Sequence, residues 1–545
     1  MINTALEKWP GVASGSISGV TTPTLLLSGV SPDSPLGKIA ATTLAAFSKT
    51  LFDGGIPPDR GQWRRAAQGT GLQWWSEAGP VATATAANSD ISLNLHRQDV
   101  GRPGRTWCIV DAAGVPLLHP FQALQACHSE PYTASLNLIE SKDGGSTWQL
   151  IAEAHVSSVR SYRGLLDVLA RTGVRLLRNA FQTGAAPRRR WELGSPAMGR
   201  PYAPLRALLR AHVASGLGWL QARVSGEVYG IAVLDRPPSD FLQSRILPVS
   251  RWLQIPASRG FIADPFFWPG QLGLILCETY LHRTGLGELT VLSVNGDQIT
   301  RSAPLPLGLD SHLSYPSTWS EDGRVYCLPE MATSRRQILY ELRQGTAPTP
   351  VCVVSEDTGM ADPTLMKMNG LYWIAYTDTD IGLYDNLCLL YADRLDGPWH
   401  PHLNNPVKID ARSSRPGGTP FWIGDRLFRP AQDCSREYGG ALVVNEVKLC
   451  TPDDYRETVA AVLRPDPAGP FAAGLHTLSF GNGRAVIDGK RISYHPRILF
   501  HKIYRRLRPA SSRSRLGSDW SAGSEYLDPV PELAAVQLSD QKLRA

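Results

Sequence analysis

The second half of the chain is patterned as short apolar runs in pairs, each pair split by a polar or glycine turn. ADPFFWPGQLGLILCE (263–278), SYPSTWSEDGRVYCLPE (314–330), ADPTLMKMNGLYWIAYT (361–377), GTPFWIGDRLFRPAQ (418–432) and LHTLSFGNGRAVIDG (475–489) share this form. Each reads as a β-hairpin: strand, short turn containing glycine, strand. The anchor positions Pro265, Pro316, Pro363, Pro420 and Thr477 lie 51, 47, 57 and 57 residues apart. Further strand candidates follow within the repeats, at 337–343, 387–394 and 441–449. About four strands in roughly 45–55 residues is the size of one propeller blade, and too strand-like for a helical repeat. The pattern predicts a five-bladed β-propeller over 251–495.

In such a blade the first strand runs beside the axis, so its opening residues converge from all repeats. These are Asp264, Tyr315, Asp362, Thr419 and His476. One Asp-Pro step merely starts a turn or strand. Two in register, with three other polar groups at the matching points, point to a polar pocket on the axis. Paired carboxylates suit glycosyl transfer or hydrolysis, one as base or nucleophile and a protonated one serving the leaving oxygen. Glu330, ending YCLPE, and Glu437, in SREYGG, are the candidate acids. Glu278 matches Glu330 one repeat earlier, so pairing between blades also explains a recurring Glu. RPAQDCSREYGG (429–440) offers Arg429, Gln432, Asp433 and Tyr438 as ligand contacts. A hydrogen-bond network between blades is the alternative for them. His312 and His476 flank axial positions and serve either the ligand or packing.

Residues 1–200 alternate strand and helix patterns. TPTLLLSGV (22–30), SDISLNL (89–95), TWCIVDA (106–112) and LNLIES (136–141) read as strands. Residues 37–55 and 161–181 read as helices, the latter with apolar positions 165, 166, 169 and 176. KDGGSTW (142–148) reads as a hairpin turn. The expectation is an α/β domain with a largely parallel sheet. A connecting helix over 204–224 and a lead-in strand at 228–235 occupy 201–250, before the propeller.

Composition and charge refine this outline. The 545 residues exceed one ordinary core, and 50 Gly, 42 Pro and 15 Trp suit a β-rich protein with an aromatic-lined site. No run of 18 or more apolar residues and no secretory leader is present, so a cytoplasmic protein is expected. The eight cysteines form no CxxC pair and suit neither a zinc site nor a disulfide scaffold, so no metal is expected. Of the net charge of +6, nine Lys or Arg fall between Lys490 and Leu516 with no Asp or Glu. The body is therefore slightly acidic, which argues against a nucleic-acid partner. RILFHKIYRRLR (497–508) has an apolar and a basic helical face. It suits peripheral contact with the inner face of a membrane, or a capping helix docked on the protein; the rest of 496–545 reads as a flexible tail.

The combined run FIADPFFW, LILCE, HLSYPSTW, YCLPE, ADPTLMKMNGLYWIAYT, RPAQDCSREYGG, LHTLS and AVIDGKR resembles the N-terminal region of glucosamine inositolphosphorylceramide transferases and their bacterial relatives. More broadly, the ADPF and ADPT motifs resemble five-bladed glycosidases of family 43. The resemblance covers about 225–495 and does not reach the separate glycosyltransferase domain of the plant enzymes. By that likeness Asp264 matches the base, Asp362 a second, orienting carboxylate, and a Glu the acid. Asp362 stands on the third repeat where a family-43 enzyme has it on the second, and Tyr315 stands there instead. In placement, 1–200 resembles the formyltransferase-like segment of the bacterial relatives. Asn94 and His96 are present, but the SLLP loop is not, which implies a catalytically degenerate domain.

The expected function is glycosyl transfer in cell-surface glycan or glycolipid biosynthesis, with Asp264, Asp362 and Glu330 catalytic. Its substrate would be a carbohydrate or glycolipid, with a sugar-nucleotide or lipid-linked sugar as donor and no further cofactor. An intracellular glycoside hydrolase and a non-catalytic glycan-binding scaffold are the alternatives. The oligomeric state is left open.

Overall fold

A computed structural model describes residues 24–28, 49–53, 91–94, 105–112, 114, 126–182, 189–191, 204–249, 251–253, 260–281, 284–309 and 311–494. The basic segment 497–508, the tail beyond it and His96 lie outside the described residues. The chain divides into two compact units. The first comprises 1–109, 138–152 and 173–193, and the second 110–137, 153–172 and 194–545.

Seven strands build one sheet: β1 (Thr24–Ser28), β2 (Lys49–Asp53), β3 (Ile91–Asn94), β4 (Arg105–Val110), β5 (Thr133–Ser141), β6 (Trp148–Ser157) and β7 (Arg189–Trp191). Their order is β2-β1-β3-β4-β5-β6-β7. The β1–β2, β1–β3 and β3–β4 pairs are parallel, and β6–β7 is antiparallel. The helix expected over 37–55 is corrected at its end. Lys49–Asp53 is a strand, because β1 offers it a full parallel register from Thr24↔Lys49 to Ser28↔Asp53. Residues 142–147 form the expected hairpin turn. Helix α1 (Tyr162–Gln182) buries Leu165, Leu166, Leu169 and Leu176.

In the second unit, helix α2 (Pro204–Val224) precedes β8 (Gly226–Leu234) and β9 (Arg245–Leu247). Five antiparallel sheets then succeed one another. The first holds β10 (Gly260–Phe267), β11 (Leu274–Leu281), β12 (Leu286–Asn295) and β13 (Gln298–Pro304). The second holds β14 (Ser314–Glu321), β15 (Arg324–Glu330), β16 (Gln337–Leu342) and β17 (Thr349–Ser355). The third is β18 (Met360–Met368), β19 (Leu371–Asp378) and β20 (Asn386–Ala392), edged by the two-residue strands β21 (His400–Pro401) and β22 (Lys408–Ile409). The fourth is β23 (Phe421–Ile423), β24 (Arg426–Asp433), β25 (Ala441–Cys450) and β26 (Tyr455–Pro465), with β9 added in parallel at its edge. The fifth pairs β27 (Gly474–Gly481) with β28 (Arg484–Ser493), and β8 completes it antiparallel to β28.

Why these runs are so apolar follows from how the sheets stack. Both faces of each middle strand are buried, so side chains alternate between two neighbouring sheets. Ile374 and Tyr376 pack toward the second sheet, with Leu328 and Leu339. Trp373 and Ala375 pack toward the fourth, with Leu427 and Val447. Similar clusters join the first sheet to the second around Leu276 and Tyr340, and the fourth to the fifth around Phe428 and Leu478. Ile231, Val486, Ile262 and Ile275 join the fifth sheet back to the first, so the succession closes on itself. Each fully buried Leu, Ile or Phe stabilises by about 1.5–3 kcal/mol.

Candidate active site

The innermost strands of four sheets carry a bulge at the start, between Ala263 and Phe266, Ser314 and Ser317, Ala361 and Thr364, and Leu475 and Leu478. In the first three the bulged residue has left-handed backbone: Asp264 at φ 53°, Tyr315 at 44° and Asp362 at 50°. Such a residue breaks the alternation of the strand and turns its side chain toward the centre. Each free N–H is taken by a carboxylate of the preceding sheet. Asp264 N donates to Asp488 Oδ2 (2.9 Å), Tyr315 N to Asp264 Oδ2 (3.2 Å) and Asp362 N to Glu330 Oε2 (2.9 Å). The repeat is thus a relay of carboxylates around the centre.

A cavity of about 610 Å³ opens there. Its acidic lining is Asp264, Glu278, Glu330, Asp362, Glu437 and Glu227. Arg415, His312, His476 and Tyr438 face them, and Tyr229, Phe261 and Tyr280 form an aromatic wall. Phe261 stacks on Tyr280 at 4.8 Å and 14°, and meets the tilted ring of Tyr229 at 5.1 Å. Gly218, Gln221 and Ala222 of α2 complete the lining, together with Ser225 just after it.

Asp264 accepts from Thr477 Oγ1 (2.9 Å) and lies 3.3 Å from His476 Nε2. Burial lifts its carboxyl to about 6, against the pull of the His476 charge. Burial lifts Glu330 further, to about 8, reinforced by the Asp362 charge. Glu278 is also held well above the usual carboxylate range by burial and by Asp264. Burial alone would lower His476. The Asp488 carboxylate at 2.7 Å and Asp264 outweigh it and raise the imidazole to about 9. His476 Nε2 also meets Tyr438 OH at 2.6 Å. The cavity therefore pairs protonated carboxyls with ionised ones at neutral pH, the arrangement acid–base chemistry requires.

Asp362 is held by Arg415, with Nε at 2.6 Å from Oδ2, and by Gln432 Nε2 at 2.7 Å. The Arg415 guanidinium also lies 4.8 Å from the Tyr438 ring centre. His312 Nδ1 accepts from Gly287 N (2.8 Å), which leaves Nε2 as the donor toward Glu278 Oε1, 3.8 Å away. Glu437 is tied at the rim to the buried Lys490 (3.1 Å). Asp264, His476 and Asp488 offer ligand atoms within 4.8 Å of one another, a set able to hold a cation. Both Asp488 oxygens already accept N–H donors.

Of the residues expected at the site, Asp264, Asp362, Glu330, His312, Glu437, Tyr438 and His476 line the cavity, and Gln432 supports Asp362 from behind. Four do not reach it. Tyr315 is buried beneath, its OH accepting from Gly418 N (2.6 Å) and meeting Thr364 Oγ1 (3.0 Å). Thr419 pairs its N–H with Leu478 O. Arg429 is drawn the other way, into a buried pair with Glu457 (2.7 Å), and Asp433 caps Ser435. Arg415, Asp488, Tyr229, Phe261 and Tyr280 were missing from the expected set. The FIADP and LCETY runs that carry Phe261 and Tyr280 were the available signal.

The fold and the cavity define a class first: a closed succession of antiparallel sheets with carboxylates converging at its centre. Within it, residues 246–467 match the family described as glucosamine inositolphosphorylceramide transferase 1, N-terminal. The protein of that name from Arabidopsis thaliana is 28% identical over 260 residues, covering 45% of this chain and 34% of its own. The Oryza sativa subsp. indica protein is 30% identical over 205 residues, covering 36% and 27%. The chain thus spans about a third or less of these curated relatives. Among solved structures, the family 117 glycoside hydrolase Zg3597 of Zobellia galactanivorans aligns at TM-score 0.30 and 10% identity, over 52% of this chain and 98% of its own.

Proposed function

We propose that the second unit is a five-bladed β-propeller that transfers a sugar to a glycolipid acceptor, with the reaction in the central cavity. The observation that carries this reading is the convergence of Asp264, Glu330 and Asp362 on one cavity, where burial and the Asp362 charge hold Glu330 above Asp264. Asp264 takes the proton of the acceptor hydroxyl as that oxygen bonds to the anomeric carbon. Glu330 gives its proton to the oxygen that departs with the bonding pair. Asp362, fixed by Arg415 and Gln432, orients the sugar, and the Tyr229–Phe261–Tyr280 wall offers ring faces for it to stack on. The similarity to glucosamine inositolphosphorylceramide transferases supports a glycolipid acceptor and an amino sugar. The donor would be a sugar nucleotide or a lipid-linked sugar. The protein would work in the cytoplasm, at the inner face of the membrane. The parallel strands of the first unit are compatible with a formyltransferase-like segment that has lost its catalytic loop.

The test is to incubate the protein with a panel of sugar nucleotides and lipid-linked sugars, with and without glycolipid acceptor, and to identify products by mass spectrometry. Acceptor-dependent sugar transfer is expected, falling about 100-fold or more in Asp264→Asn. Release of sugar to water regardless of acceptor would replace transfer with hydrolysis. Unchanged transfer by Asp264→Asn would remove that residue from the reaction.

A further inference from the structure

Helix α2 presents two faces of different character. Gly218, Gln221 and Ala222 line the cavity, and Ala211 is buried on the same side. On the opposite side Leu209, Val213, Leu217, Leu220 and Val224 are between 36 and 64% exposed. Their spacing of four, four, three and four residues puts all five within about 80° of the helix circumference. Single exposed apolar residues are ordinary, but a continuous stripe of five marks an interaction surface. The helix sequence also carries Arg206, Arg210 and Arg223 and no Asp or Glu. Arg206 and Arg210 are exposed at the N-terminal end of the stripe.

We propose that α2 docks the protein on an anionic lipid bilayer, lying in the plane of the interface. An apolar stripe flanked by arginines without acids is the pattern of an interfacial helix. Among the described residues no helix is long and apolar enough to cross a membrane. A second copy of this chain meeting helix to helix would bring like charges together, whereas anionic headgroups neutralise them. Because the other side of α2 walls the cavity, docking brings the cavity close to the lipid headgroups. That last consequence alone rests on the glycolipid reading.

Co-sedimentation of the full chain with vesicles tests the proposal. Binding is expected to vesicles of equal parts phosphatidylcholine and phosphatidylglycerol, and not to phosphatidylcholine alone. The Val213→Glu/Leu217→Glu variant should lose about tenfold or more of that binding with an unchanged circular dichroism spectrum. Arg206→Gln, which keeps the stripe intact, should lose about fivefold and serves if the double variant misfolds. The proposal is overturned by absence of binding to the mixed vesicles, or by wild-type binding of both variants, which would place the contact elsewhere. It is equally overturned by a lipid-free dimer that the double variant abolishes. None of these readouts involves sugar transfer, so failure here is separable from failure of the reaction.

Discussion

Asp264, Tyr315 and Asp362 share a left-handed backbone that an Asp tolerates and a Tyr adopts at a cost of about 1–3 kcal/mol. The N–H bonds to Asp488, Asp264 and Glu330 hold that geometry, so the same carboxylates serve both the fold and the cavity. This has a consequence for pH. Glu330 at about 8 and His476 at about 9 both stand above their unfolded values, about 4 and about 6.5. The folded chain therefore keeps protons that the unfolded chain has released. The stability these groups add is complete below the unfolded values and is lost as pH rises through the folded ones. His128, His155, His312 and His402 are shifted down by burial and act below about 6.5, outside this range. Buried cysteines, shifted upward, act in the same direction as Glu330 near pH 9. Urea unfolding should show stability falling from pH 7 to 8.5, and a shallower fall in Glu330→Gln. Equal falls in the two proteins would contradict the assignment to Glu330. Arg429 and Gln432 are an odd number of residues apart on β24, so a strand sends them to opposite faces. Only Gln432 reaches Asp362, while Arg429 turns to Glu457. Arg415 was not legible because it sits in the SSRPGG loop, outside any strand pattern, and its partner is 53 residues away.

The hairpins were legible from their paired apolar runs, because strands buried on both faces need unbroken hydrophobic sequence. The partners of the fifth sheet were not. Its third strand, β8, lies some 250 residues before β28 in sequence, and nothing in VYGIAVLD names its neighbour. The pairing runs from Ala485↔Leu234 to Ser493↔Gly226 and joins a strand that precedes the five hairpins to the last of them. The lead-in segment is thereby a closing strand, with Ile231 fully buried between the fifth and first sheets. Ile231→Ala should destabilise by roughly 2–5 kcal/mol, measured by denaturant unfolding. A loss under about 0.5 kcal/mol, the level of an ordinary surface change, would mean that this seam is not closed as described. The segment 37–55 shows the opposite limit. Its helical pattern ends in Lys49–Asp53, where pairing with β1 overrides local preference.

Across the whole molecule, the cavity draws lining from strands of the first, second, third and fifth sheets, from the loop between β24 and β25 and from α2, and no single repeat contains it. That distribution is why the axial carboxylates could be read from the repeat while the aromatic wall and the helix could not. Tyr229 and Gln221 lie before the repeats begin, and only closure brings them to the centre. It also joins the two proposals, since the helix that borders the cavity is the one with the exposed apolar stripe. The most direct measurement is a crystal structure of the protein soaked with a hexosamine. The sugar ring is expected against the Tyr229–Phe261–Tyr280 wall, within hydrogen-bond reach of Asp264 and Glu330. A sugar bound elsewhere with the cavity unoccupied, or seated there without contact to either carboxyl, would contradict it.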